Sequence, residues 1–257
     1  MELLRFRWVA CQLETLKRSL PSAIRRALDN LPESLDGTYD RILKGISQGT
    51  QEYAQRLLQC LAVSIRPLRV EELADILTIQ FHVGTLPQYD ANWRPENSEE
   101  EVLSVCSSLI TIVDMDGSRV VRFSHFSVKE YLTSERLANA GNDLSQYHIH
   151  SHSAHMILAK ASLSALLVLD AEVNKDRMKN FPLAIYAAQY WVDHARLHNV
   201  SSRIRDAMEH LFDPGKPHFA AWVWIDDVDR PFREMMFEAC PSPPTAVPLY
   251  YATMWIL

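Results

Sequence analysis

The residues best placed for chemistry lie in one run, Val120-Val-Arg-Phe-Ser-His-Phe-Ser-Val-Lys-Glu-Tyr-Leu132. It contains His125, the side-chain type that gains or loses a proton nearest to neutral pH. Val120, Val121 and Phe123 read as the end of a strand. Ser127 and Glu130 stand in the capping-box relation, which predicts a helix starting here. His125 is thereby set between a strand and a helix N-terminus. Backbone N–H groups point outward there and the helix dipole favours anions, so the chemistry on offer is phosphate or carboxylate binding. The bland alternative is a histidine satisfied by a nearby carbonyl.

Two other groups invite a chemical reading. In His148-Ile-His-Ser-His-Ser-Ala-His155, a continuous helix would put His148, His152 and His155 on one face, where they could offer metal ligands. No cysteine is near and no fourth ligand is evident, so a polar helix surface with one packed histidine is expected and no metal is assigned. Ala221-Trp-Val-Trp-Ile-Asp-Asp227 has the apolar run and acidic pair of a Walker B strand. It has no phosphate loop to work with. None of the 7 glycines lies in a Gly-x-x-x-x-Gly-Lys-Ser/Thr string, and Gly215-Lys216 is followed by Pro217. The expectation is no catalytic residue, no cofactor and no nucleotide hydrolysis by this chain alone.

The elements that must position His125 are legible around it. Ile110 to Val113 reads as a strand, and Asp116-Gly117 accepts the positive φ of a tight hairpin turn. Upstream, Tyr53, Leu57, Leu58, Leu61 and Ile65 mark a helix; Pro67-Leu-Arg-Val leads into a second one over 71–77. Gln80–Asn97 reads as a turn-rich loop. Ser98 and three glutamates then open a third helix running through Val102, Cys106 and Leu109. Helix, turn, helix, third helix, hairpin is the order of a winged helix, here residues 50–132. Before it, 1–49 is a helical segment: Phe6, Val9, Leu13, Leu16 and Leu20 recur at helical spacing, and Leu35, Tyr39, Ile42, Leu43 and Ile46 mark a further helix. After it, 133–240 reads as a helical connector with helices near 145–169, 181–195, 201–212 and 217–225. Pro182 suits the first turn of the second of these. Pro241-Ser-Pro-Pro244 signals a linker. The fold class is mainly α: a helical bundle plus a winged-helix domain with one β-hairpin, followed by a helical connector.

Composition narrows the function classes. The chain has 257 residues, 47% hydrophobic and 23% charged, with net charge −6. Between Thr50 and Leu132 there are 7 Lys/Arg against 12 Asp/Glu, and the third helix opens on Glu99, Glu100 and Glu101. Such a surface opposes a phosphate backbone, so no nucleic-acid partner is expected. No apolar run approaches the ~20 residues that span a bilayer, and Glu2, Arg5 and Arg7 break any signal-peptide pattern. Cys11, Cys60, Cys106 and Cys240 are scattered, which fits buried thiols in a reducing compartment. A cytoplasmic protein without membrane contact is expected.

The run at 120–132 also resembles a segment of the NACHT-type signal-transduction NTPases, the fungal relatives of animal NOD-like receptors. In those proteins a winged helix ends in a hairpin followed by Phe-x-His-x-Ser-hydrophobic-x-Glu-Tyr/Phe-Leu. Phe123, His125, Ser127, Val128, Glu130, Tyr131 and Leu132 fill that pattern here. Leu31-Pro-x-Ser-Leu-Asp-x-Thr-Tyr-Asp-Arg-Ile-Leu43 is similar to the segment just after the family's nucleotide domain. Phe181 to Ala195 is similar to one preceding its ankyrin repeats. Val247-Pro-Leu-Tyr-Tyr-Ala252 resembles the start of an ankyrin repeat, making 241–257 a linker and truncated repeat. The resemblance implies that His125 senses the β-phosphate of ADP when a NACHT domain is present. It implies as partners that nucleotide domain and ankyrin repeats, and a regulatory role holding the ADP-bound domain closed and relaying its opening. Two competing classes are a nucleotide-hydrolysing switch completed in trans and a winged-helix DNA-binding protein.

Overall fold

The computed structural model describes residues 2–17, 22, 24–29, 31–81, 87–197, 199–226, 247–248 and 250–251. Helices α1 (Glu2–Lys17), α2 (Ile24–Asp29), α3 (Leu35–Lys44), α4 (Gln51–Val63) and α5 (Val70–Asp75) come first. Strands β1 (Ile79–Gln80) and β2 (Gln88–Tyr89) precede α6 (Ser98–Cys106), and the hairpin β3 (Ile110–Met115) with β4 (Ser118–Phe123) follows. The remainder is helical: α7 (Phe126–Leu132), α8 (Glu135–Ala138), α9 (Asn142–Ser145), α10 (Ser151–Leu167), α11 (Lys175–Met178), α12 (Pro182–Ala195), α13 (Val200–Arg203), α14 (Arg205–Leu211) and α15 (His218–Ile225). The molecule is mostly helical with two small antiparallel sheets.

The winged helix is built as its sequence suggests. β3 and β4 pair from Ile110↔Phe123 to Met115↔Ser118. The two residues between them, Asp116 and Gly117, have φ of 49° and 76°. Positive φ at both central positions gives a turn whose twist matches the flanking strands. A third edge is supplied by residues 68–69: the Val121 N–H donates to the Leu68 carbonyl at 2.9 Å, and Arg69 bridges to Val120. Leu57, Leu58, Leu68, Leu73, Val102, Leu109 and Val121 fill the space between α4, α5, α6 and the hairpin, and each is buried.

Several expectations need correcting. The Gln80–Asn97 stretch is not only a loop, because β1 and β2 pair Ile79 with Tyr89 and Gln80 with Gln88, and Ala91–Trp93 forms a 3-10 turn. Helix α4 stops at Val63 since Ser64 turns extended (ψ 136°), and Ile65 is half exposed rather than part of its apolar face. On α1, Val9 and Leu13 lie exposed while Cys11 and Gln12 are buried. Polar contacts set that rotation: Trp8 Nε1–H donates to the Pro32 carbonyl at 2.9 Å, and Gln12 Nε2–H donates to Thr38 Oγ1 at 2.8 Å. The helix expected near 217–225 is α15, so the Walker B-like run is helical over Ala221–Ile225, with Asp227 outside the described residues. The linker at 241–246 lies outside them too. Of the ankyrin-like hexapeptide, Tyr251 is described, packed edge-on to Phe219 at 5.4 Å between ring centroids.

The connector joins the winged helix through a continuous core. Helix α10 packs on α4, α12 and α14, and α12 also packs on α5. Trp191, Phe212, Phe219 and Trp222 form an aromatic cluster behind them, with Trp191 and Trp222 centroids 5.5 Å apart. Such edge-to-face packing orients neighbouring helices as well as burying their surface.

Candidate functional site

His125 ends the hairpin and begins α7. Its backbone is extended (φ −159°, ψ 151°), and it is the N-cap of α7 in place of Ser127. The correction follows from the atoms. His125 Nδ1 accepts from the Ser127 N–H at 3.3 Å and lies 2.7 Å from Ser127 Oγ. The imidazole thus satisfies one of the amides a helix start leaves unpaired. Ser127 Oγ lies 2.8 Å from Tyr39 Oη in the buried interior. The consistent assignment is a chain in which Tyr39 donates to Ser127 and Ser127 donates to Nδ1. A neutral ring whose Nδ1 accepts carries its proton on Nε2.

Three features shape what Nε2–H can do. The ring is half-buried, with burial first and the Arg7 charge second lowering its pKa below the usual histidine value, against a smaller upward pull from Glu130. The imidazole is therefore a neutral donor at physiological pH. Phe126, 54% exposed, lies against it with ring centroids 4.2 Å apart. Arg7 comes from α1, where Nη2–H donates to Ser124 Oγ at 2.6 Å and to the Ser108 carbonyl at 3.1 Å. Its Nε is buried without a hydrogen-bond partner among the described residues. Among the described residues Nε2 of His125 likewise has no partner. A guanidinium and an imidazole N–H beside a helix N-terminus can hold an anion. The Ser127–His125 distance would also suit a nucleophile and its base. Ser127 is buried and its hydroxyl already bridges to Tyr39, so the pair holds the ring in place.

Arg7 was missed by sequence reasoning. It lies 117 residues from its partner Ser124, and nothing in its local pattern marks it. Tyr39 was read as a core position, which it is, but its hydroxyl also anchors the chain to His125.

The histidines of the connector do not form a metal cluster among the described residues. α10 begins at Ser151, so His148 lies off the helix, its Nδ1 3.2 Å from His150 Nε2. His155 turns inward instead, with its Nδ1 2.8 Å from His194 Nδ1. His194 Nε2 lies 2.9 Å from Tyr186 Oη, which accepts from the Ile65 N–H at 3.1 Å.

No helix among the described residues is long and apolar enough to cross a membrane. Residues 39–142 match the family model for the winged helix domain of GPI inositol-deacylase. The chain is also similar to the azaphilone pigments biosynthesis cluster protein L of Monascus ruber, 30% identical over 241 residues. That similarity covers 88% of this chain and 49% of the relative, so the chain spans about half the length of the curated relative it matches. No solved structure matches. The match at 39–142 and the hairpin packed on α4, α5 and α6 agree: the chain carries a winged-helix domain.

Proposed function

We propose that this chain is a non-catalytic regulatory module that docks its winged helix on a nucleotide-binding domain. In this reading His125 donates Nε2–H to a phosphate of bound ADP, and Arg7 adds positive charge beside it. The domain is held closed until the contact breaks, and its opening is relayed through the connector to protein-binding repeats. The observation that carries the reading is the fixed imidazole, held through Nδ1 by Ser127 and Tyr39 and left with one free donor. The resemblance of 120–132 to NACHT-type proteins supports it.

A nucleic-acid role is disfavoured by a specific contact. Arg119, the exposed cation at the tip of the wing, is paired with Glu99 on the first turn of α6. That pair neutralises Arg119, leaving Arg122 as the wing's exposed cation against Glu100 and Glu101 of the α6 first turn, which are unpaired among the described residues. Salt-sensitive submicromolar binding to arbitrary duplex DNA in a gel shift would reverse this reading.

The test of the proposal joins this chain to a complete NACHT nucleotide domain and follows ADP release. A hydrogen bond to a charged group is worth ~1.5–3 kcal/mol. His125→Ala should therefore speed release roughly tenfold or more, with the winged helix still folded by circular dichroism. An unchanged release rate in a folded variant would leave His125 as a helix cap and nothing more.

A further inference from the structure

A second site in the winged helix shares no lining residue with the His125 corner. Thr50 and Tyr53 of the α4 N-terminus, Leu77, Trp93, Pro95, Glu101 and Val105 line an open groove of about 400 Å³. Leu77 and Val105 are buried and give it an apolar floor. Trp93 stands 50% exposed at its edge.

The chain on either side of Trp93 is fixed. The Asp90 carboxylate accepts from the Asn92 N–H at 3.0 Å, shaping the turn that carries Trp93. The next residue, Arg94, is pinned by Nη2 to the buried Asp75 carboxylate at 2.9 Å. A turn already held in place loses little backbone freedom when something binds the exposed aromatic it carries, and exposed Trp is a common binding hot spot.

The charge of the groove is set by Glu101. Its neighbour Glu99 is paired with Arg119, whereas the Glu101 carboxylate has no ion-pair partner among the described residues. Arg56 of α4 is not among the lining residues; it lies over the rings of Phe81 at 4.2 Å and Tyr53 at 5.6 Å and is neutralised by Glu52. The fixed charge on Arg94 is likewise taken by Asp75. Residues 50–132 carry 7 basic and 12 acidic side chains, net −5, so the field around the groove is negative.

We propose that this groove binds a basic peptide segment of a partner protein, seating an arginine or lysine beside Trp93 with its charge on Glu101. Aromatic faces attract such cations, Trp most of all. The aliphatic stem of the side chain and an apolar neighbour cover Leu77 and Val105. A lone small cation would leave most of a 400 Å³ groove unfilled, which favours a peptide.

The probe is the peptide acetyl-Leu-Arg-Leu-amide, titrated against the whole chain while Trp93 is followed by its indole N–H resonance, assigned with Trp93→Phe. The expected result is a saturable shift that is weakened about tenfold by Glu101→Gln, the equivalent of ~1.4 kcal/mol. Glu100→Gln, one residue away, should leave it unchanged. The same peptide with citrulline, which keeps the shape and loses the charge, should bind at least several-fold more weakly. No shift at millimolar peptide, equal binding of the citrulline peptide, or full binding by a folded Glu101→Gln variant would each overturn the proposal. Spermidine matching the peptide in affinity would overturn the choice of a peptide as the occupant.

Discussion

The seam between the winged helix and the connector differs in kind from the corner that holds His125. At the seam two buried carboxylates, Glu72 and Asp75, are each held by several donors, although Arg94 Nε beside Asp75 is buried without a partner among the described residues. Glu72 is completely buried, takes both guanidinium nitrogens of Arg66 at 2.7 Å, and accepts from the Arg69 N–H at 2.8 Å as the far half of the α5 cap. Arg66 lies over the Tyr186 ring of α12 at 5.0 Å. Asp75, three residues on, accepts from Tyr89, Arg94 and the Leu183 N–H, so a carboxylate of α5 caps the first turn of α12. At the His125 corner the imidazole and Arg7 are half-buried, Arg7 Nε is buried without a partner, and only Nδ1 of His125 is hydrogen-bonded among the described residues. Satisfied, buried polar networks fix a single arrangement. Donors left over at a half-open edge have capacity for something else. The seam welds two segments together, and the corner leaves an imidazole N–H at the surface.

That contrast can be broken by substitution. The largest effect is expected at the seam. Glu72→Gln leaves two arginines without their anion, and breaking a buried pair typically costs ~3–5 kcal/mol. Arg66 and Arg69 retain 29% and 35% side-chain exposure, so the lower end is expected, near ~3 kcal/mol by urea unfolding. A loss under about 1 kcal/mol, the size of an exposed pair, would mean the seam is not a weld.

The next effect depends on pH. Burial first, and His155 second, push His194 down to about 4 from an ordinary 6.5. Because its folded value lies below the unfolded one, the unfolded chain takes up a proton first as pH falls. Stability from the neutral pair is complete above pH ~6.5 and declines toward pH 4, by about 3 kcal/mol in all. Thermal melts across that range should show the slope in the native chain and a flatter one in His194→Gln. An identical slope in both would place the acid sensitivity elsewhere.

At the corner the expected stability effect is smaller. His125→Ala removes a helix cap, an expected loss of ~1 kcal/mol, while the proposed role predicts a larger effect on ADP release. Smallest of all is Leu13→Gln on the exposed face of α1, expected within ±0.5 kcal/mol. A loss of several kcal/mol there would show that α1 is held by its apolar edge rather than by Arg7, Trp8 and Gln12.

How much was written in the chain can be judged element by element. The hairpin turn follows from Asp116-Gly117, because few other residue pairs tolerate positive φ twice in succession. Helix α12 follows from Pro182 and its apolar spacing, and the position of His125 at a strand–helix junction follows from its neighbours. These are local properties, set by backbone sterics and periodicity within a few residues. The cap atom, the partner Arg7, the His155–His194 contact and the pairing of Glu72 with Arg66 under Tyr186 are different. The partners Arg7–Ser124 and His155–His194 lie 117 and 39 residues apart. Local pattern is silent about which distant side chain arrives. The same applies to the rotation of α1, whose apolar spacing pointed Val9 and Leu13 inward. Hydrogen bonds to Pro32, Thr38 and Ser124 turned that face outward, since a buried donor must find its acceptor before an apolar edge is covered. The sequence by itself determined the hairpin, α12 and the place of His125 at a strand–helix junction; the tertiary structure decided which polar groups are consumed in holding the fold, because their partners come from distant parts of the chain.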